Sequence, residues 1–224
     1  MITTIVLVDL KPESKLWGFL RFPLGRFPLR KTPGLQFSKI LGSGQNGGFG
    51  LKPSATHQGL LCSFDTEDNA DQFLRSPIIQ SYRDRAREIF TAKLQAYSSK
   101  GSWSGTTIPV DTSEPNSGPI AALTRASIKP LKAREFWKRS PPAEGSLAHA
   151  QGCLLAVGLG EAPVFRQATF SIWESLDAMN AYARTGAHLE AIKASLHGGH
   201  FSESMFVRFK PIAYTGIWQG RQFV

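Results

Sequence analysis

The chain has 224 residues, 42% hydrophobic and 11% aromatic, which is enough for one large domain or two small ones around a substantial core. No stretch approaches the roughly 18 unbroken apolar residues of a membrane helix, and two cysteines without a CxxC exclude a four-cysteine zinc site or an iron–sulfur cluster. A formal charge of +9 raises nucleic-acid binding, but the bases are spread along the chain without a zinc-finger, RNP or helix-turn-helix signature, so no nucleic-acid partner is expected.

The opening "MITTIVLVDL" is β-branched and lacks the basic start and small-residue cleavage site of a signal peptide, so it reads as a first strand of a cytoplasmic protein. Next comes "WGFLRFPLGRFPLRK", Trp17 to Lys31, where bases alternate with Phe, Leu and Pro. It reads either as a surface for an anionic membrane or an acidic redox partner, or as a loop with two prolines and buried phenylalanines. The glycine-rich "GSGQNGGFGLKPSATHQG", Gly42 to Gly59, lies between two strands and has no Lys-Ser/Thr after a GxxxxG, which argues against a phosphate loop. So many glycines suggest close approach of backbone to something bulky and flat, or a mobile flap. His57 opens the strand that follows.

The sequence then repeats itself. "CSFDTEDNADQFLRSPIIQSYRDRA" from Cys62 matches "SIWESLDAMNAYARTGAHLEAIKAS" from Ser171, with Phe64 over Trp173, Phe73 over Tyr182 and Arg75 over Arg184. Upstream, "TIVLVDLKP" answers "ALTRASIKP", "KLWGFLRF" answers "KAREFWKR" and "SKILGSG" answers "LLAVGLG"; downstream, "GSWSG" answers "GIWQG". Each copy reads strand, helix, strand, strand, helix, strand. In the second these are Ile120–Ile128, Ala133–Lys138, Gly152–Leu159, Val164–Trp173, Leu176–Leu196 and Ser204–Tyr214. That is the ferredoxin-like βαββαβ unit. The expected fold is α+β: tandem ferredoxin-like repeats, 1–104 and 120–224, joined by a turn-rich linker at 105–119. Their sheets would close face to face into one barrel of the dimeric α+β type, with a filled or ligand-holding interior.

Where the copies differ, function is sought. Three of the five histidines, His188, His197 and His200, fall in the last long helix or the turn after it. His188 stands opposite Ile79, at the border of an apolar stripe formed by Met179, Tyr182, Leu189, Ile192 and Leu196. A border histidine reaches either a cavity or the solvent. His197 and His200 flank the Gly198-Gly199 stop and read as helix-ending residues. Cys62 and Cys153 lie in apolar runs and read as buried thiols, a thiolate haem ligand being the lesser alternative. Neither GxSxG nor HExxH occurs, and Glu67, Asp68, Glu174 and Asp177 sit at helix starts, where the dipole accounts for them.

The segments "LGSGQNGGFGLKPSATHQGLLCSF" and "SIWESLDAMNAYARTGAHLEAIKASLHGGHFSESMFVRFKP", with the closing "GIW", resemble the spheroidene monooxygenase family, carotenoid 2-ketolases of purple bacteria. The similarity runs from about Phe37 onward and is densest from Ser171 to Pro211. It implies a haem-containing, O2-dependent enzyme that takes electrons from a ferredoxin and oxidises an unactivated carotenoid carbon to a ketone. The dimeric α+β barrels include haem enzymes with a proximal histidine on a helix, which turns His188 into the expected iron ligand of one haem b per chain. On the distal side, His57, Arg166 and Ser204 are candidates for assisting oxygen chemistry. Phe49, Trp173 and Met205 are candidates for lining the cofactor and an apolar pocket. Two rival functions remain at this point, a haem lyase of the aldoxime dehydratase type and a haem-free barrel monooxygenase or binding protein. Peripheral membrane contact and homo-oligomerisation stay open.

Overall fold

The computed structural model describes residues 1–50, 52–139, 147, 149–162, 164–184 and 199–224. Nine strands form one antiparallel sheet: β1 Ile2–Leu10, β2 Leu35–Gly44, β3 Pro53–Phe64, β4 Ala86–Gly101, β5 Ile120–Ile128, β6 Cys153–Ala162, β7 Arg166–Trp173, β8 Phe201–Trp218 and β9 Arg221–Phe223. Their order is β4-β1-β3-β2-β6-β7-β5-β8-β9, and β4 also pairs with β8, so the first eight close into a barrel. Each half has the same internal order, with the first strand between the fourth and the third. The seams differ in length. β4 and β8 pair from Phe90↔Gly216 to Gly101↔Met205, whereas β2 and β6 share only Gly42↔Gly160 and Ser43↔Leu159. The tandem-repeat barrel expected from the sequence is the fold that forms.

Alternation along the strands decides what fills the barrel. Ile5 and Leu7 of β1, Leu61 of β3, Phe90 and Leu94 of β4, Leu123 of β5, Val157 and Leu159 of β6, Phe170 and Ile172 of β7, and Met205, Val207 and Phe209 of β8 form one buried interior cluster. Among the described residues the interior is packed, so of the two interiors expected the filled one is found. Burial of each such side chain contributes roughly 1.5–3 kcal/mol.

Each mouth carries one of the paired motifs "GSWSG" and "GIWQG". Trp103 and Trp218 are buried, at 1% and 2% exposure. Each is followed by two residues of positive φ, Ser104 and Gly105 after the first, Gln219 and Gly220 after the second. A carboxylate holds each turn. The Gly105 N–H donates to Glu203 (3.0 Å), and the Gln219 and Gly220 N–H groups donate to Glu88 (2.7 and 2.9 Å). Glu203 also accepts from the Ser102 hydroxyl (3.0 Å) and from Arg125, whose guanidinium is buried in the mouth.

The outer face of the first half is covered by four helices. They are α1 Lys15–Leu24, α2 Arg26–Leu29, α3 Glu67–Leu74 and α4 Pro77–Arg83. Thr66 and Ser76 cap α3 and α4, their side chains accepting from the Asn69 and Ile79 N–H groups. Under them lies a second cluster that includes Val6, Val8, Leu10, Leu60, Cys62, Phe64, Phe73 and Ile79. The Trp17–Lys31 segment is thus helical rather than a loop, and its phenylalanines are not buried: Phe19, Phe22 and Phe27 are all exposed. In the second half, α5 Ala133–Arg139 and α6 Leu176–Ala183 are described. The remainder of the expected helix to Leu196, including His188, and His197 after it, lie outside the described residues.

Burial works against ionised Glu203, but the N–H groups of Gly105 and Ser104, the Ser102 hydroxyl and Arg125 outweigh it and hold the carboxyl at about 2. Because the folded pKa is depressed, this contribution to stability is present above the ordinary carboxylate range and is lost as pH falls toward that value. Glu203→Gln should lower the urea midpoint at neutral pH and leave a shallower loss of stability on acidification; equal slopes for variant and parent between about pH 4.5 and pH 2 would contradict this.

Candidate functional site

With the interior full, what remains for function is the outside of the sheet, and there the halves diverge. Directly paired residues share a face. On the first half the central outward row runs Ile40–Leu60–Val6–Thr91 across β2, β3, β1 and β4. The corresponding row of the second half is Gly158–Thr169–Thr124–Phe206 across β6, β7, β5 and β8. The next row changes in the same sense, from Gly42–Gln58–Val8–Ile89 to Gly160–Gln167–Ala126–Ser204. Branched aliphatic side chains have become glycine, alanine, serine and threonine.

Burial follows. Val6 is fully buried, whereas Thr124, at the same place on a central strand, is exposed. The row nearest α6 is Ala156–Ser171–Ala122–Arg208. Around it a third apolar cluster gathers Tyr97, Ile120, Leu147, Ala156, Trp173 and Met179, with Phe49 and Tyr182 packed against it. The Trp173 indole donates to the Ser171 hydroxyl (2.9 Å). The second half therefore carries a shallow, small-residue, hydroxyl-bearing floor, walled by Trp173 and Phe49 toward α6.

The glycine-rich segment supplies part of that wall. A Cβ at Gly158 would lie 2.5 Å from the Gly48 carbonyl oxygen and 2.8 Å from the Phe49 Cα. The Ser43 hydroxyl donates to the Gly158 carbonyl (2.5 Å). The close approach expected there is thus to the protein's own β6, and it carries Phe49 from the first half onto the outer face of the second.

The barrel mouth beside Trp218 forms a separate open cavity of about 480 Å³, lined by Asp9, Asn46, His57, Arg87, Glu88 and Gln219. His57 is buried and pairs with Asp9 across β1 and β3; its Nδ1 is 3.5 Å from the carboxylate. The Arg87 guanidinium already holds Asp9 at 2.7 Å, and the His57 Nδ1 sits within 2.9 and 3.1 Å of the Ser54 and Thr56 hydroxyls. Burial lowers the His57 pKa, opposed by Asp9 and reinforced by Arg87. Burial thus favours the neutral imidazole, which sits edge-on to Trp218 (5.5 Å between ring centroids).

The seven site residues read from the sequence do not converge on one place. Phe49, Trp173 and Ser204 belong to the outer side of the second half, Ser204 opposite Ala126. His57 lines the Trp218 mouth; Met205 is fully buried in the barrel interior; Arg166, opposite Ser127, is exposed at a strand end and has the parity of the inner face. The sheet itself stands between these three and the outer floor. His188 is outside the described residues. His200, read as a helix-ending residue, is 2% exposed, with its Nε2 3.4 Å from Glu135. Burial pushes the Cys62 thiol well above its ordinary range and the Cys153 thiol up to about 11, so neither offers a ready thiolate. Thr124, Thr169 and Ser171 went unread, although the repeat already set Ser171 under Cys62.

No family model matches the sequence. The spheroidene monooxygenase of Rubrivivax gelatinosus is 52% identical over 223 residues, covering 99% of this chain and 86% of that protein. The spheroidene monooxygenase of Rhodobacter capsulatus is 37% identical over 214 residues, covering 93% of this chain and 89% of that protein. Among solved structures, an aldoxime dehydratase in complex with butyraldoxime superposes with a TM-score of 0.60 over 95% of this chain and 81% of its own, at 10% identity, a likeness of fold alone. Identity of this extent over nearly the full length leaves one assignment: the chain belongs to the spheroidene monooxygenase family.

Proposed function

We propose that this monooxygenase binds haem b on the outer floor of its second half and oxidises a methylene carbon of a carotenoid-like chain to a ketone. The names of its relatives support an oxygenase reaction on a carotenoid. The observation that carries the haem reading is the change at matched positions from buried, apolar Leu60 and Val6 to Thr169 and an exposed Thr124, with the smaller Ala126 and Ser204 where the first half has Val8 and Ile89. A rigid planar macrocycle suits such a floor, and Arg208 at its edge supplies a cation for a propionate. His188 remains the proposed iron ligand. Its counterpart Ile79 is fully buried and packs with Val6 and Val8 on the equivalent face of the first half.

Haem held there supplies oxygen activation, with two electrons from a donor such as reduced ferredoxin for each oxygen atom inserted. The chain contributes shape and polarity. Gly158 lets the Gly48–Phe49 backbone close one edge of the floor, and the Thr124 and Thr169 hydroxyls can donate or relay a proton there. Phe49 and Phe206 provide apolar surface along which a polyene can lie with water excluded. Two insertions at one carbon give a geminal diol, which loses water to the ketone.

An absorption spectrum of the protein produced with haem supply tests this. A Soret band is expected, its absence favouring the haem-free reading, and turnover should require O2, which a lyase would not. Ala126→Val with Ser204→Ile restores the first half's side-chain volume and should abolish the band while leaving thermal stability unchanged or higher. His188→Ala should weaken haem binding by more than the roughly 10–100-fold typical of outer-shell changes, whereas His197→Ala should leave the band nearly intact. A band that survives floor filling would place the cofactor elsewhere.

A further inference from the structure

The described surface holds twelve exposed large apolar side chains, and six of them fall between Leu16 and Phe27. The rest, such as Val110, Leu131 and Phe165, are scattered. Leu16, Phe19, Leu20, Leu24 and Phe27, with Pro23, follow helical spacing along α1 and α2, which are joined through Gly25 in helical conformation. Leu16 and Phe19 are 72% and 69% exposed. An amphipathic helix on a globular domain normally turns such a stripe inward. This one is inverted. Its buried side is Gly18, Gly25 and Leu29, with Trp17 and Arg21 half-buried. The glycines let it press onto the sheet: a Cβ at Gly18 would lie 2.3 Å from Leu10, and one at Gly25 2.6 Å from Ile40.

The exposed stripe is flanked by Lys15, Arg26, Arg30 and Lys31, all exposed. We infer that α1–α2 is a docking surface for an anionic lipid bilayer, with the stripe seated among acyl chains and the bases at the headgroups. The charge excludes a second copy as the natural occupant, because a two-fold pairing through this face would set four cations against four cations. A soluble acidic protein would match the bases but leave Leu16 and Phe19 without a partner chemistry. Among the described residues no helix is long and apolar enough to cross a membrane, so the contact is peripheral.

The test uses the whole chain, without substrate or haem, on vesicles of phosphatidylcholine and phosphatidylserine in equal parts, so its outcome is independent of the reading of the second half. The parent protein should cosediment with these vesicles and bind pure phosphatidylcholine at least about tenfold more weakly. Replacing the four bases by Gln should lower affinity for the mixed vesicles by roughly fivefold per base and remove the salt dependence. Leu16→Ser, Phe19→Ser and Phe27→Ser together should abolish binding to both vesicles while leaving the thermal unfolding midpoint unchanged, since all three side chains are exposed. Binding that survives the serine changes would overturn the inference. So would a parent protein that ignores anionic vesicles, or one that dimerises through this face.

Discussion

The structure rests on the mutual burial of two apolar sheet faces. Among the described residues neither half has a helix on its inner face; the two sheets cover each other's Ile5, Leu7, Phe90, Leu123, Phe170 and Phe209. Eight strands close with just enough room for side chains, so the interior is used up by the act of closure. The long β4–β8 seam does most of the joining and the short β2–β6 seam completes the circle. At the mouths Arg125 and His57 are buried beside carboxylates, and the turns after Trp103 and Trp218 are fixed by Glu203 and Glu88.

Closure also forces the division of labour. A packed barrel cannot hold a long apolar substrate, so a duplicated fold of this kind has two outer faces left to vary, each one element thick. The first half filled its face with Val6, Val8, Leu60 and Ile79 under α3 and α4. In the second half the same backbone positions carry Thr124, Ala126 and Thr169, of which Thr124 is exposed. Lost aliphatic packing weakens the second half unless something else lies on the floor, which is the physical reason to look for a ligand there rather than in the barrel.

Much of the fold was legible because repetition makes each weak signal count twice. β5 begins and ends at Ile120 and Ile128, as alternation and the Lys129-Pro130 stop imply. β7 starts at Arg166 rather than Val164, since Val164 takes a positive φ just before the strand. β8 runs on to Trp218, past the limit read at Tyr214, because its far end pairs with β4 and β9; partner strands distant in sequence extended it. The site was less legible. His57 and Arg166 were taken as neighbours of Ser204, but parity sets them on opposite faces of the sheet, and parity needs the register. The floor itself was within reach: aligning Cys62 with Ser171 and Val6 with Thr124 already held the gain of hydroxyls, and Val8 with Ala126 the loss of volume, which a comparison of side chains along the strands would have found.

The helical pair α1–α2 could not be read correctly from pattern, because its apolar stripe points the wrong way. Spacing alone says that Leu16, Phe19, Leu20, Leu24 and Phe27 face the core. Gly18 and Gly25 overrule it: only a side without Cβ atoms can come this close to Leu10 and Ile40, so the glycine side packs and the leucine side is left in the open. The same approach brings Phe22 against Gly42, the residue through which β2 hands over to Gly160 of β6. Gly160 begins the row Gly160–Gln167–Ala126–Ser204 at the margin of the floor. The exposed helices and the open face thus meet at the short seam.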